Sequence, residues 1–307
     1  MILCCGEALI DMLPRVTAAG EPAFSPYVGG AVFNTAIALG RLRAPTAFFS
    51  GISTDLFGRK LSDALEASHV DLAHVRFSDR PTTLAFVHLD EGQARYAFYD
   101  ENTAGRMLEE TDLPELGPHV DALHFSCISL VPEPCGSTYE ALMRREHQAR
   151  VIMLDPNIRA GFIPDKEKHL ARMRRMIAMA DIVKLSDEDL GWFGEHGDHD
   201  AIAARWLDAG PKVVVLTRGS EGATGYTKDH RVEMPARQVD VVDTVGAGDT
   251  FNAGLLAYFH EAGLLSKGAL ATLPEPHLRG SLDFAMAAAA VTVSRAGANP
   301  PWRDELR

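Results

Sequence analysis

Residues 243–254 read DTVGAGDTFNAG, and the reading of this stretch decides the fold. Gly246, Ala247 and Gly248 lead straight into Asp249, and residues 251–259 after them carry an amphipathic apolar pattern. Glycines beside a helix start let backbone N–H groups approach a ligand closely, and the positive end of the helix dipole favours negative charge there. Such a cradle suits the oxygens of a phosphoryl group in flight. A carboxylate among those donors would repel phosphate, so its chemical use is to accept a proton from an attacking hydroxyl. Anion hole plus base point to phosphoryl transfer onto an alcohol. A plain Gly-rich turn with Asp249 as a helix N-cap has the same spacing, so the rest of the chain must choose.

At 307 residues the chain holds one large α/β domain or two small ones, with ample core in either case. It carries 30 Lys plus Arg against 42 Asp plus Glu, a net charge of −12. That acidity argues against a nucleic-acid surface, although a small phosphorylated substrate can still be held locally. Cys4, Cys5, Cys127 and Cys135 show no CxxC spacing and are expected as free thiols in a reducing cytoplasm. The opening MILCCGEALID carries acids early and no basic segment, unlike a secretory signal. The longest apolar run, 284–293, is too short to cross a bilayer, so no membrane partner is expected.

Apolar strand-like runs at 2–10, 47–50, 122–125, 151–154, 182–185 and 213–217 alternate with amphipathic stretches at 57–68, 136–147, 166–179 and 201–209. Unalternating strands between helices predict a parallel sheet covered on both faces. Two regions break the rhythm. Residues 12–28 read as extended chain punctuated by Pro14, Gly20, Pro22 and Pro26. Residues 82–99 read as a hairpin with its turn near Glu91-Gly92. Pieces of this kind need a home outside the main sheet, and a small β lid over the strand ends provides one. No internal repeat, low-complexity tract or interdomain linker is visible, so the whole of 1–307 is expected to be a single domain.

The segment 243–254 closely resembles the C-terminal signature of the PfkB (ribokinase-like) carbohydrate kinases. The resemblance implies that Asp249 is the catalytic base and that Gly246, Ala247 and Gly248 line the anion hole. It also implies a ribokinase-like α/β domain with a β lid at about 12–28 and 82–104. The run VGGAVFNTAIALGRL at 28–42 resembles the family's N-terminal signature, in which the Gly-Gly pair and the Asn contact the sugar, here Gly29, Gly30 and Asn34. GISTDLFG downstream, with Gly51, Asp55 and Gly58, fits the same pattern.

GEALID at 6–11 places an acid at the carboxyl end of the first strand, where open α/β sheets bind ligands. A carboxylate there can accept hydrogen bonds from two neighbouring sugar hydroxyls. Asp11 is equally a turn or cap residue by position, and the resemblance assigns it to the sugar. The wording GEALIDM, the motif DPNIR at 155–159 and FYDENTAGRML at 98–108 look like the fructokinase branch of that family. This implies Asp155, Arg159, Tyr96, Phe98 and Arg106 as further sugar-pocket residues, with Arg159 suited to the transferring phosphoryl group as well. Arg159 paired with Asp165 at the surface is the competing reading.

The strand-to-turn run VVVLTRGSEGA offers Thr217, Gly219 and Gly222 to a flat base and ribose, or forms a plain hairpin. The resemblance implies ATP as cofactor, held by this turn with Lys184, Gly246, Gly248, Ala289 and Asn299. It implies Mg²⁺ as well, although the family's Asn-x-x-Glu is replaced here by KLSDEDL. Ser186 and Asp189 take those places with Glu188 adjacent, so Asp189 or Glu188 would orient the metal's waters. Carbonyls around Asp243 and Val245 are the expected place for a monovalent cation such as K⁺.

His196, Asp198, His199 and Asp200 crowd one loop, but loops of that composition are more often simply solvated than metal-binding. No GxxxxGK[ST] and no protein-kinase HRD set occurs, and no GxGxxG follows the first strand. The expected protein therefore transfers the γ-phosphoryl of ATP to a sugar, fructose above 2-keto-3-deoxygluconate, ribose or a nucleoside. A sensor built on a dead kinase scaffold is the alternative outside enzymology. Exposed lid edges further predict a homodimer formed through the lid.

Overall fold

The computed structural model describes residues 1–90 and 93–306, with the side chains of 88–96 outside the description. Nine strands form the main sheet, in the order β15 (Arg231–Met234), β14 (Ala223–Tyr226), β13 (Val213–Thr217), β12 (Ile182–Ser186), β11 (Val151–Asp155), β10 (Ala122–Ser126), β1 (Ile2–Cys5), β4 (Thr46–Phe49) and β6 (Val70–Asp71). All neighbours from β13 to β6 pair in parallel, and β14 and β15 close one edge antiparallel. Five of the runs read as strands lie within one residue of β4, β10, β11, β12 and β13.

Both faces of this sheet are buried, which is why its strands read as unbroken apolar runs. Along β1, Ile2 and Cys4 join one core while Leu3 and Cys5 join the other. Helices α1 (Ala31–Arg41), α2 (Leu56–Ala67), α7 (Ala247–Glu261), α8 (Lys267–Ala271) and α9 (Glu275–Val293) cover the first face. The second face is covered by α3 (Cys135–Glu146), α4 (Lys166–Met179), α5 (Asp187–Phe193) and α6 (His199–Asp208). Among the described residues no helix is long and apolar enough to cross a membrane.

The run 2–10 corrects into two elements. β1 stops at Cys5, and β2 (Leu9–Val16) leaves the main sheet altogether. It joins β3 (Pro22–Gly29), β8 (Leu84–Asp90) and β9 (Gln93–Tyr99) in a separate sheet ordered β3-β2-β8-β9, pairing directly with β3 and β8. Stretch 12–28 is thus a regular antiparallel hairpin, in register from Leu9–Gly29 to Val16–Pro22. β8 and β9 form the second hairpin, and its turn at Glu91-Gly92 lies outside the described residues. A short parallel pair, β5 (Gly51–Ser53) and β7 (Arg76–Ser78), sits apart from both sheets.

One face of the four-stranded sheet carries Leu9, Asp11 and Phe98, which line a cavity against the main domain. The opposite face is apolar and open to solvent. There Phe86 packs edge-on to Phe24 and Tyr99, and Phe24, Tyr99 and Val16 are 47%, 62% and 74% exposed.

Candidate active site

α7 begins at Ala247 behind Gly246, which adopts φ 77° and brings no side-chain cap to the first turn. A residue with a Cβ would be strained in that left-handed conformation and would meet the Ala298 Cβ at 2.7 Å. No capping side chain takes the first-turn amides; that of Ala247 donates to the Thr244 carbonyl at 3.3 Å, and the others are left for a ligand. Asp249 follows within that turn and is 8% exposed. Its Oδ2 accepts a hydrogen bond of 2.9 Å from Asn34 Nδ2 of α1, and its carbonyl accepts one from Thr35 Oγ1 at 3.2 Å. Burial pushes the Asp249 carboxyl up to about 7. The Asn34 hydrogen bond, Arg159 and Lys184 oppose the shift, and Asp155 adds to it. A carboxylate so placed is poised for proton transfer near neutral pH.

Asp249 faces a cavity of about 320 Å³ shared with Asp11, Gly30, Asn34, Phe98 and Arg159. Asp11 does not end the first strand of the main sheet, as its sequence position suggests. It sits on β2, and that strand's pairing with β3 aims it into the cavity. Burial raises its carboxyl to about 6. Gly29 leaves the space for it, since a Cβ there would lie 2.2 Å from Asp11 Oδ2. Arg159 lines the cavity through a guanidinium that donates to the Asn157 and Ile158 carbonyls, not to Asp165, which instead caps α4. Burial works against the Arg159 charge, but neighbouring anions including Asp249, Asp155 and Asp189 outweigh it and favour the cation.

A second cavity, of about 490 Å³, is lined by Thr217, Gly219, Gly222 and Ala289 with apolar walls from Val241, Phe251 and Met286. Thr244 and Gly248 line both cavities, so the two spaces meet at the N-terminus of α7. One is small, polar and acid-rimmed; the other is larger and mostly apolar, suited to a heterocyclic base.

Several residues read from the sequence lie elsewhere. Asp155 is wholly buried and lines neither cavity, because its Oδ2 accepts from Lys184 Nζ at 3.1 Å and Asn252 Nδ2 at 2.7 Å. Lys184 is likewise withdrawn from the larger cavity, with Nζ beneath Gly248, 3.3 Å from where a Cβ would be. Arg106 pairs with Asp100 at 3.1 Å and borders a separate void of about 30 Å³. Asn299 accepts from Arg41 at 2.8 Å, outside the larger cavity. The side chain of Tyr96 lies outside the described residues.

Asp189 closes a capping box with Ser186 at the start of α5 and accepts from the Ile158 amide at 2.7 Å, so both its oxygens are engaged. Glu188 beside it is exposed. Asp243 accepts from the Val245 and Gly297 amides at 3.0 and 2.8 Å, which folds the 243–246 loop against the chain after α9. The crowded stretch read as a loop enters α6 at His199: Asp198 caps the helix, and Asp200 in its first turn accepts from Tyr226 and Arg231. Among the described residues no three His, Cys, Asp or Glu side chains are grouped to hold a metal ion.

Glu7 and Cys127 complete the wall of the smaller cavity and went unread in the sequence. Gly30 cannot cap α1, and Glu7 does so from outside, its Oε1 accepting from the Ala31 amide at 2.8 Å. The signal was present in a first helical turn with no capping side chain, following an acid at the end of β1. Cys127 sits in the turn after β10 with φ 64°, and nothing in its sequence neighbourhood announces this.

The chain is 62% identical over 283 residues to a fructokinase of Rhizobium leguminosarum bv. trifolii, covering 92% of this chain and 87% of that protein. Its fold superposes on the crystal structure of a fructokinase from Xylella fastidiosa with bound ATP at TM-score 0.87 and 28% identity, covering 97% and 93% of the two chains. A Vibrio cholerae O395 fructokinase in its fructose-, ADP- and calcium-bound form superposes at TM-score 0.81 and 25% identity, covering 97% and 94%. The fold is ribokinase-like. The pfkB family carbohydrate kinase pattern matches residues 1–305, and the chain belongs to that family.

Proposed function

We propose that this carbohydrate kinase is an ATP-dependent fructokinase in which Asp249 is the base and the first turn of α7 is the anion hole. The observation that carries the assignment is the meeting of an acid-rimmed polar cavity with an apolar one at Gly248, beside Asp249. A sugar in the smaller cavity presents a hydroxyl to Asp249, which takes its proton as the oxygen attacks the γ-phosphorus of ATP. The amides at Gly246, Ala247 and Gly248 meet the charge on the phosphoryl oxygens, Arg159 adds its guanidinium, and ADP departs through the larger cavity. Asp11, Gly29, Gly30 and Asn34 orient the acceptor. Glu7, Asp11 and Asp249 together favour a neutral polyol over an acid such as 2-keto-3-deoxygluconate. The deciding experiment is ADP release with ATP, Mg²⁺ and a panel of sugars, ranked by kcat/KM. No ADP release with any of them would leave the inactive-scaffold reading.

Magnesium fits this site as an ion that arrives on the nucleotide, since it binds phosphates and water more than protein donors. When bound it neutralises phosphate charge. Glu188, exposed at the start of α5, is the side chain left to order its waters, because Asp189 is spent on the capping box. The Asp243–Val245 turn remains the proposed place for a monovalent cation. Four free, buried cysteines suit a cytoplasmic enzyme.

The base works only when ionised. With Asp249 raised to about 7, kcat/KM for the sugar should be flat above that pH and fall tenfold per unit below it. A limb at the ordinary aspartate value of about 4 would separate Asp249 from the role of base.

We further propose that 12–28 and 82–104 act as a lid over the sugar, through the face of the β3-β2-β8-β9 sheet that bears Asp11. Exclusion of water would protect ATP from hydrolysis. Hydrogen exchange with fructose and a non-hydrolysable ATP analogue should slow in both segments together, and slowing confined to other segments would remove the lid. The solvent-facing Phe24, Phe86 and Tyr99 would pack against the same face of a second copy. A monomer by light scattering at micromolar concentration would exclude that dimer.

A further inference from the structure

The carboxyl ends of β10, β11 and β12 interrupt an apolar surface. On the face covered by α7, Ala122, Val151, Met153 and Ile182 are core, but the following positions on that face are His124, Ser126, Asp155 and Lys184. All four are buried, and the register sets Ser126 beside Asp155. Asn252 of α7 reaches down to Asp155 and, with Lys184, occupies its Oδ2. Asp155 Oδ1, Ser126 Oγ, Asn252 Oδ1 and both ring nitrogens of His124 have no partner among the described residues. A buried polar patch with so much unmet hydrogen bonding destabilises a fold relative to an apolar one, and internal water is its usual complement. Its position points to a task in the site directly above.

That site is the meeting point of the two cavities. Asn252 lies three residues beyond Asp249 on α7, and Lys184 Nζ lies under Gly248. We infer that Asp155, Lys184 and Asn252 form a positioning network that holds an ammonium beneath the anion hole and governs the protonation of Asp249 from below. The inference rests on the kinase reading above. Asp249 is faced by Asn34 and Thr35 from α1, by Arg159 and by the Cys127 thiol, with Glu7 and Asp11 across the cavity. Asp155 and Lys184 come from the opposite, buried side, where a charge is least screened. Their signs oppose each other at Asp249, the one favouring the protonated acid and the other the carboxylate. Lys184 itself stays charged, because Asp155 and the other nearby acids outweigh its burial.

Opposite signs give a test that a merely structural pair would fail. Asp155→Asn keeps the shape and an acceptor for Lys184 but removes the negative charge, so the acid limb of kcat/KM should move to lower pH. Lys184→Met leaves Asp155 unopposed, and the limb should move to higher pH. Each displacement should be about one unit, which is about tenfold in kcat/KM at a pH below the limb. The wild type is measured first with its best acceptor. Absence of ADP release from the wild type would overturn the kinase reading, which is a separate result. An active wild type whose two variants keep its limb, or move it in the same direction, would overturn the network. If one variant does not fold, the sign of the other decides.

Discussion

Asp249→Asn should lower kcat by about 10²–10⁴ while the KM values for sugar and ATP stay within a few-fold. The substitution preserves volume, and its amide can still meet Asn34, so α1 and α7 remain joined. What disappears is the proposed proton acceptor. The anion hole is made of backbone and survives, which is why the loss should stop short of complete inactivity. Steady-state kinetics on the purified variant check this. Retention of more than about a tenth of wild-type kcat would move the base elsewhere, since that is below the usual contribution of a general base.

The second large effect is on binding. Asp11→Ala should raise the sugar KM by about 10- to 100-fold, the worth of hydrogen bonds to a buried charged group, and leave the ATP KM almost unchanged. Asp11 reaches only the smaller cavity, and the nucleotide walls come from other elements. A methyl group on the neighbouring strand should reproduce the effect, because Gly29→Ala would place a Cβ 2.2 Å from Asp11 Oδ2 and displace the carboxylate. A sugar KM that moves in neither variant would remove Asp11 from acceptor binding.

The main sheet was legible because burial on both faces leaves no alternation to hide a strand, and β13 and α4 were delimited to the residue. The small sheet was harder. Pro14, Pro22 and Pro26 disguise a hairpin, since proline cannot donate to a ladder. They are tolerated because β3 is an edge strand and β2 meets β8 only at Ile10–Met12, short of Pro14. The break after Cys5 was invisible because Ala8, Leu9 and Ile10 continue the apolar run. Motifs named the ingredients of the site but not their depth. Asp155 and Lys184 were read as ligand contacts from the family resemblance alone. The sequence cannot say that α7 descends over them and sends Asn252 to Asp155.

The bond between Asn34 and Asp249 joins positions 215 residues apart. β1 lies between β4 and β10, so the sheet around it cannot close until β10 has been synthesised. α7 comes later still. A chain emerging from the ribosome can therefore build most of its layers while still lacking Asp249, the proposed base. Turnover should arrive in one step once α7 has joined α1, and fragments cut before α7 should have the strands of a kinase without its reactivity.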